Sequence, residues 1–251
     1  MTTEEPHMKT VPSLFRPPAI GLLAVAAALA WSAPAAAQTV ATATPATPGK
    51  PATVSWNVDG RVPPVSSRIP RSLVVTAPGF KLDRRAVAGR CTQEQAELNE
   101  CPAKSRLGTA VLTIIVHRPV DDNEIAFDIV LYRGDKDEVL AVTEFIGTRV
   151  IPGRLRKVDG ALELTFDPLP EPPVIPGVPL TYDFVGLSAT LGAKRTVTKT
   201  VRRDGRTVRR KVRYTLVRAP ARCPGGTWPT TATLGFPDGS SLPMEAPITC
   251  D

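Results

Sequence analysis

Aromatic residues are scarce in this 251-residue chain, which holds three Trp, three Tyr and seven Phe. A sugar-lined cleft and a base-stacking surface both draw on such rings, so neither is well supplied here. Histidine is scarcer still: two occur, and only His117 lies beyond the leader described below. With one histidine, and with cysteines expected to be oxidised, too few nitrogen and sulfur ligands remain for an ordinary zinc or copper site. The sequence has no G-x-S-x-G, no H-E-x-x-H and no phosphate-cradling glycine loop. His117 closes a β-type run just before Arg118-Pro119 and reads as a strand-end surface residue. No residue is assigned a catalytic role, no cofactor is expected, and no metal site is assigned.

Long apolar runs are also missing. The best is Ala19 to Trp31, 13 residues, short of the roughly 20 that a membrane-spanning helix needs. Lys9 and Arg16 precede it and the small residues Ala35-Ala36-Ala37 follow, so residues 1–37 read as a secretory signal peptide. Glu4 and Glu5 fit its basic region poorly, which points to Met8 as the start of translation. No cysteine near Gln38 offers a lipidation site, and Cys250-Asp251 follow no hydrophobic tail. The mature chain is therefore expected to be free and secreted, in the cell envelope and without a transmembrane anchor. In an oxidising compartment the four cysteines are expected to pair. Of three connectivities, nearness in sequence favours Cys91–Cys101 and Cys223–Cys250, stabilising by roughly 3 and roughly 3.6 kcal/mol on chain-entropy grounds.

What the chain does have is many short β-type runs. Thr53–Val58, Ser72–Thr76, Leu107–His117, Ile125–Tyr132, Val139–Ile146, Arg154–Val158, Ala161–Phe166, Leu180–Thr190, Thr230–Phe236 and Leu242–Ile248 are separated by turn residues, with Gly134-Asp135 and Asp159-Gly160 as hairpin signals. This pattern predicts a mainly β fold, an antiparallel sandwich, with two sub-sheets or small β domains as a variant. One segment reads as a short helix near 92–98: Thr92 with Gln95 three residues on forms a capping box, and Asp83 is a second cap before it. A straight helix would hold Cys91 and Cys101 about 13–15 Å apart, whereas a disulfide needs Cα atoms within about 7 Å. The pairing thus requires a helix of at most two turns, with Asn99-Glu100 folding back. Residues 38–51, rich in Ala, Thr and Pro, read as a flexible or extended lead-in to a β-rich domain over 52–251. Six prolines between 167 and 179 mark a stiff crossover or a sub-boundary there, with a polyproline ligand for a partner as the lesser alternative.

The charge is local. Removing residues 1–37 takes two of 31 basic and two of 24 acidic residues and leaves the net charge at +7. Residues 194–218 alone hold eleven Lys/Arg against the single acid Asp204. The rest of the chain is mildly acidic, so anion binding is expected on one arm only. Asp204-Gly205 suits a two-residue turn, so facing residues sum to 409. Val201 then faces Val208 and Val197 faces Val212, while Lys199 meets Arg210 and Arg203 meets Arg206. On the other face Thr196, Thr198 and Thr200 meet Arg213, Lys211 and Arg209. Like charges directly opposite destabilise a hairpin, a cost that an anion relieves. The candidate polyanion-binding residues are Lys194, Arg195, Lys199, Arg202, Arg203, Arg206, Arg209, Arg210, Lys211 and Arg213. Their partner is an anionic envelope polymer or a surface of lipid headgroups. The competing reading is that the cations keep a long hairpin soluble and block edge pairing. Nucleic acid is set aside, because the chain is read as exported and the arm has one aromatic residue, Tyr214.

The acidic turns Asp121-Asp122-Asn123-Glu124 and Asp135-Lys136-Asp137-Glu138 lack EF-hand spacing and read as solvated loops. The alternative function they leave open is a carboxylate-based hydrolase of envelope polysaccharide, which would need two acids converging in a cleft.

Arg90-Cys91, Cys101-Pro102-Ala-Lys-Ser105-Arg-Leu-Gly108, Gly160-Ala-Leu-Glu-Leu-Thr-Phe166-Asp167-Pro168-Leu-Pro170, Cys223 and Ile248-Thr-Cys250 form a further pattern. It resembles a group of uncharacterised exported β-rich proteins of soil actinobacteria, the Solirubrobacter-like lineage. The resemblance implies an exported β-rich surface module; it does not extend to the basic hairpin. Together these readings give a non-enzymatic surface protein for adhesion or structural interaction.

Overall fold

The computed structural model describes residues 39–61, 69–117, 121–144, 147–171, 180–203 and 206–251. Residues 1–38, which include the segment read as a signal peptide, most of the proline-rich stretch and Asp204-Gly205 lie outside them. In chain order the strands are β1 Thr39–Thr44, β2 Pro51–Asp59, β3 Ser72–Pro78, β4 Lys81–Leu82, β5 Arg106–His117, β6 Asp122–Arg133, β7 Glu138–Glu144, β8 Thr148–Val158, β9 Ala161–Phe166, β10 Thr181–Leu191, β11 Lys194–Arg203, β12 Arg206–Thr215, β13 Val217–Arg218, β14 Thr227–Trp228, β15 Thr231–Gly235, β16 Ser241–Glu245 and β17 Ile248–Thr249. One helix, α1, covers Gln93–Glu97.

The fold is mainly β and antiparallel. One long sheet runs β16-β15-β3-β9-β8-β7-β6-β5-β10-β2-β13-β4, with β1 beside β2. Alternation explains most of it. Ala52, Val54, Trp56 and Val58 of β2 point inward, as do Leu73, Val75 and Ala77 of β3 and Leu162, Leu164 and Phe166 of β9, all buried. Residues from both ends of the sheet belong to one core cluster, so the two halves face each other as in a sandwich. β7 departs from alternation because both its faces are covered. Val139 and Ala141 join the main core, while Leu140 and Val142 pack with Cys91 and Ala96 of α1.

The local signals act as their chemistry requires. The Thr92 hydroxyl accepts from the Gln95 N–H and the Gln95 side chain accepts from the Thr92 N–H. Asn99 adopts φ 55° and turns the chain back, which brings the Cα atoms of Cys91 and Cys101 to 5.1 Å in a disulfide. Cys223 and Cys250 form the other, with Cα atoms 6.4 Å apart. Asp83 caps a 3-10 turn at Arg84–Ala86. Asp159 and Gly160 both have positive φ, 47° and 85°, in the hairpin turn between β8 and β9.

Two expectations need correction. Thr39–Thr44, read as a flexible or extended lead-in, is the strand β1, paired with Thr53–Val58 along its whole length. Its inward residues are Ala41 and Ala43, small side chains that leave almost no β signal in the sequence. The run Leu242–Ile248 is two strands, not one: the chain breaks at Ala246-Pro247, where the Ala246 N–H turns to the Thr230 carbonyl and Pro247 offers no donor.

Candidate functional site

β11 and β12 form a separate two-stranded sheet from Lys194↔Thr215 to Arg203↔Arg206. This is the register that a two-residue turn imposes. Lys199 sits opposite Arg210, and Thr196, Thr198 and Thr200 sit opposite Arg213, Lys211 and Arg209. Because side chains alternate, five of the ten cations in 194–213 occupy register positions on each face. On one edge Arg209, Lys211 and Arg213 recur about every 6.8 Å. The side chain of Arg203 lies outside the described residues; the other nine cations of the arm are exposed.

The arm is apolar only at its root. Val197 and Val212 pack against the main core, Tyr214 and Thr215 are buried, and Leu216 and Val217 are fully enclosed. The outer pair Val201 and Val208 stays 39% and 45% exposed, so the valine row does not dock along its length. The root is also braced from the side. Arg85 lies over the Tyr214 ring at 4.7 Å and Lys199 approaches it at 5.4 Å. Arg85 is held in turn by Asp83 through two hydrogen bonds of 2.8 Å. That guanidinium keeps the Asp83 carboxyl below its ordinary range. Sequence reasoning took Asp83 as a cap and overlooked Arg85 and its stacking, which joins positions 129 residues apart.

Beside the root lies a cleft of about 550 Å³. Lys104, Arg106, Lys194 and Arg195 line it together with Thr53, Thr109 and Thr190, and no carboxylate does. Lys194 and Arg195 come from β11. Lys104 comes from the 3-10 turn Ala103–Ser105 after Cys101 and Arg106 opens β5, and the sequence reading did not single them out. That turn is well fixed. The disulfide Cys91–Cys101 anchors one end. The buried Ser105 hydroxyl donates to the Pro102 carbonyl at 2.6 Å, and the Ala88 and Gly89 N–H groups donate to the Lys104 carbonyl. Arg133 donates to the Val87 carbonyl at 3.3 Å, and burial and nearby Arg90 and Arg84 push its pKa down. At the floor, Gly108 brings β5 against β10 so closely that a Cβ would meet the Thr190 carbonyl oxygen at 1.8 Å.

His117 ends β5 as expected, yet it is not idle. Its Nδ1 is 2.9 Å from Asp122 and its Nε2 is 2.9 Å from Asp183. Hydrogen bonding to Asp183 first, and to Asp122 second, raises its pKa above the ordinary value of 6.5.

The acidic runs are tied into ion pairs, and Asp122-Asn123-Glu124, read as part of a loop, instead opens β6 in register with β5. Asp135 pairs with Arg90 at 2.8 Å and Asp137 with Arg84, and the Asp135 N–H donates to Glu138. Glu124 pairs with Arg61 at 2.9 Å. An open concavity of about 820 Å³ gathers Asp135, Asp137, Glu138 and Asp167, with Arg154 and Arg156 among them. Among the described residues, no group of three or more His, Cys, Asp or Glu side chains is placed to hold a metal ion. An internal cavity of about 100 Å³ between the sheet halves, lined by residues such as Ile129, Leu131, Leu164 and Phe184, presents no polar side chain to orient a ligand. No helix among the described residues is long and apolar enough to cross a membrane.

Comparison with protein-family models, with curated proteins and with solved structures returned no match. The functional reading therefore rests on the residues themselves.

Proposed function

We propose that this chain is an exported, non-enzymatic protein of the cell envelope, serving adhesion or structural interaction, and that it holds an anionic polymer through the arm β11–β12. The observation that carries this reading is the register of facing cations: Lys199 opposite Arg210, on a ribbon whose described residues include no acid. Such a ribbon repels itself, and phosphate or carboxylate groups between the strands' side chains would relieve that. Two disulfides support a compartment outside the cytoplasm, and the leader at residues 1–37 supports export. A polymer is favoured over a lipid surface because the cations are divided between two faces. A flexible chain reaches both faces, whereas a flat bilayer meets one. The resemblance to exported actinobacterial proteins fits this setting and adds nothing to the arm.

The test uses substitution, not deletion, since Tyr214, Leu216 and Val217 belong to the core. The full chain and its Arg202→Gln/Arg209→Gln/Arg210→Gln/Lys211→Gln variant are run on immobilised polyphosphate, and both are mixed with anionic phospholipid vesicles. The proposal expects the variant to elute at clearly lower salt, because fewer counterions are released, and expects weak sedimentation with vesicles. Equal elution of the two forms would sink the arm as a binding element. Strong vesicle binding without polymer retention would replace polymer by lipid.

A further inference from the structure

The cleft at the root of the arm has features that the arm lacks. It is concave, its volume lies in the ordinary range for small-molecule sites, and its cations come from two separately anchored segments. Lys104 rides on the turn fixed by Cys91–Cys101, Ser105 and the Ala88 and Gly89 N–H groups, and Arg106 follows it as the first residue of β5. Lys194 and Arg195 ride on the first residues of β11, where the Ala193 carbonyl accepts from the Leu216 N–H and pins the strand to the core. Four cationic residues thus border one concavity, Lys194 and Arg195 from successive positions of the ribbon, and no carboxylate lines it. The Lys104 stem lies so close to Gly89 that a Cβ there would meet its Cγ at 2.8 Å, which restricts where the ammonium can go. Thr53, Thr109 and Thr190 also line it, and the Thr190 hydroxyl is hydrogen-bonded with that of Ser55 at 2.8 Å.

We propose that this cleft binds a phosphomonoester carried on a sugar or polyol, as an end group or side group of the polymer that the arm engages; the proposal rests on the polymer reading above. A phosphomonoester carries nearly two negative charges near neutral pH and three acceptor oxygens. That matches a cleft lined by Lys104, Arg106 and the cationic start of β11, with no carboxylate, better than a single carboxylate does. The threonines that line the cleft suit the hydroxyls of the carrier. The arm offers a repeating row for a repeating chain, whereas the cleft offers one pocket for one group.

Calorimetric titration of the full, disulfide-bonded chain with glucose 6-phosphate, and separately with inorganic phosphate, tests it. Glucose 6-phosphate should bind saturably and one to one at millimolar concentration or below. The Lys104→Ala/Arg106→Ala variant should bind at least about ten-fold more weakly, since two charged hydrogen-bond donors to the phosphate are gone. The arm variant Arg202→Gln/Arg209→Gln should stay within about two-fold of wild type, because neither residue lines the cleft. Lys104 and Arg106 are exposed, so both variants should keep the wild-type thermal midpoint. Failure of wild type to bind glucose 6-phosphate saturably, or equal affinity in the cleft variant, would overturn the site. Equal affinity for inorganic phosphate would remove the sugar from it. The polymer reading is judged apart from this. If the cleft variant keeps wild-type retention on polyphosphate while losing glucose 6-phosphate, both readings stand. If polyphosphate retention is absent in wild type but glucose 6-phosphate binds, the polymer reading alone falls.

Discussion

His117 joins three strands at one corner of the sheet. It pairs in register with Thr181 and Asp122, and its two nitrogens reach Asp183 and Asp122. A protonated imidazole donates to both carboxylates at once; a neutral one donates to only one. Its folded pKa is raised above 6.5, so this contribution to stability is fully present below about pH 6.5 and is lost as pH rises through the folded value. The thermal midpoint of the wild-type chain should therefore fall between pH 6 and a pH above that value. His117→Gln should flatten this part of the profile, and an unchanged profile would refute the clamp. The sequence placed His117 at a strand end, as it is, and on the surface, where it is instead half-buried between two carboxylates. It could not show the clamp, because residues 117, 122 and 183 meet only through a pairing between distant strands. Arg85 over Tyr214, and the shared cleft of Lys104 and Lys194, were hidden for the same reason. Long-range neighbours of charged side chains leave no periodic trace.

At the scale of elements, the arm was the most legible piece. Its valines, its Asp-Gly turn and its two equal halves specify one register, and the pairing follows it. The short helix was legible too, through Thr92 and Gln95, and the disulfide limited its length. Less legible was β1, whose alanines are too small to signal a strand, and the break at Pro247. The order of strands in the sheet was not legible at all, since it depends on which apolar faces meet. The register of the arm makes an opposed pair of outcomes testable. Lys199→Glu places a carboxylate opposite Arg210, turning repulsion into attraction and stabilising the arm by roughly 0.2–1 kcal/mol. Hydrogen exchange of amides in β11 and β12 should slow while retention on polyphosphate drops. A variant with faster exchange in the arm, or with undiminished retention, would contradict the view that facing cations are kept for an anion.

Across the whole molecule, charge and core are separated. A mildly acidic β body, closed by two disulfides around a main apolar core, carries a cationic ribbon rooted through Val197, Val212, Tyr214 and Leu216. The body anchors the ribbon, and several of its acids, Asp83, Asp122, Glu124, Asp135 and Asp137, are engaged by the body's own Arg85, His117, Arg61, Arg90 and Arg84. The cleft stands where ribbon and body meet and uses cations from both. That division is why the mainly β, antiparallel class could be read from alternation, while the cleft could not. The class follows from local pattern, and the cleft from the meeting of two segments some 90 residues apart.

The central claim is that the arm releases counterions when an anionic polymer binds. The direct measurement is the affinity for soluble polyphosphate over a range of salt, for the wild type and for the Arg202→Gln/Arg209→Gln/Arg210→Gln/Lys211→Gln variant. A plot of log affinity against log salt should be steep for the wild type and shallower by about three for the variant, at about 0.7–0.9 for each cation removed. Equal slopes for the two proteins would contradict the claim and leave the cations with solubility as their role.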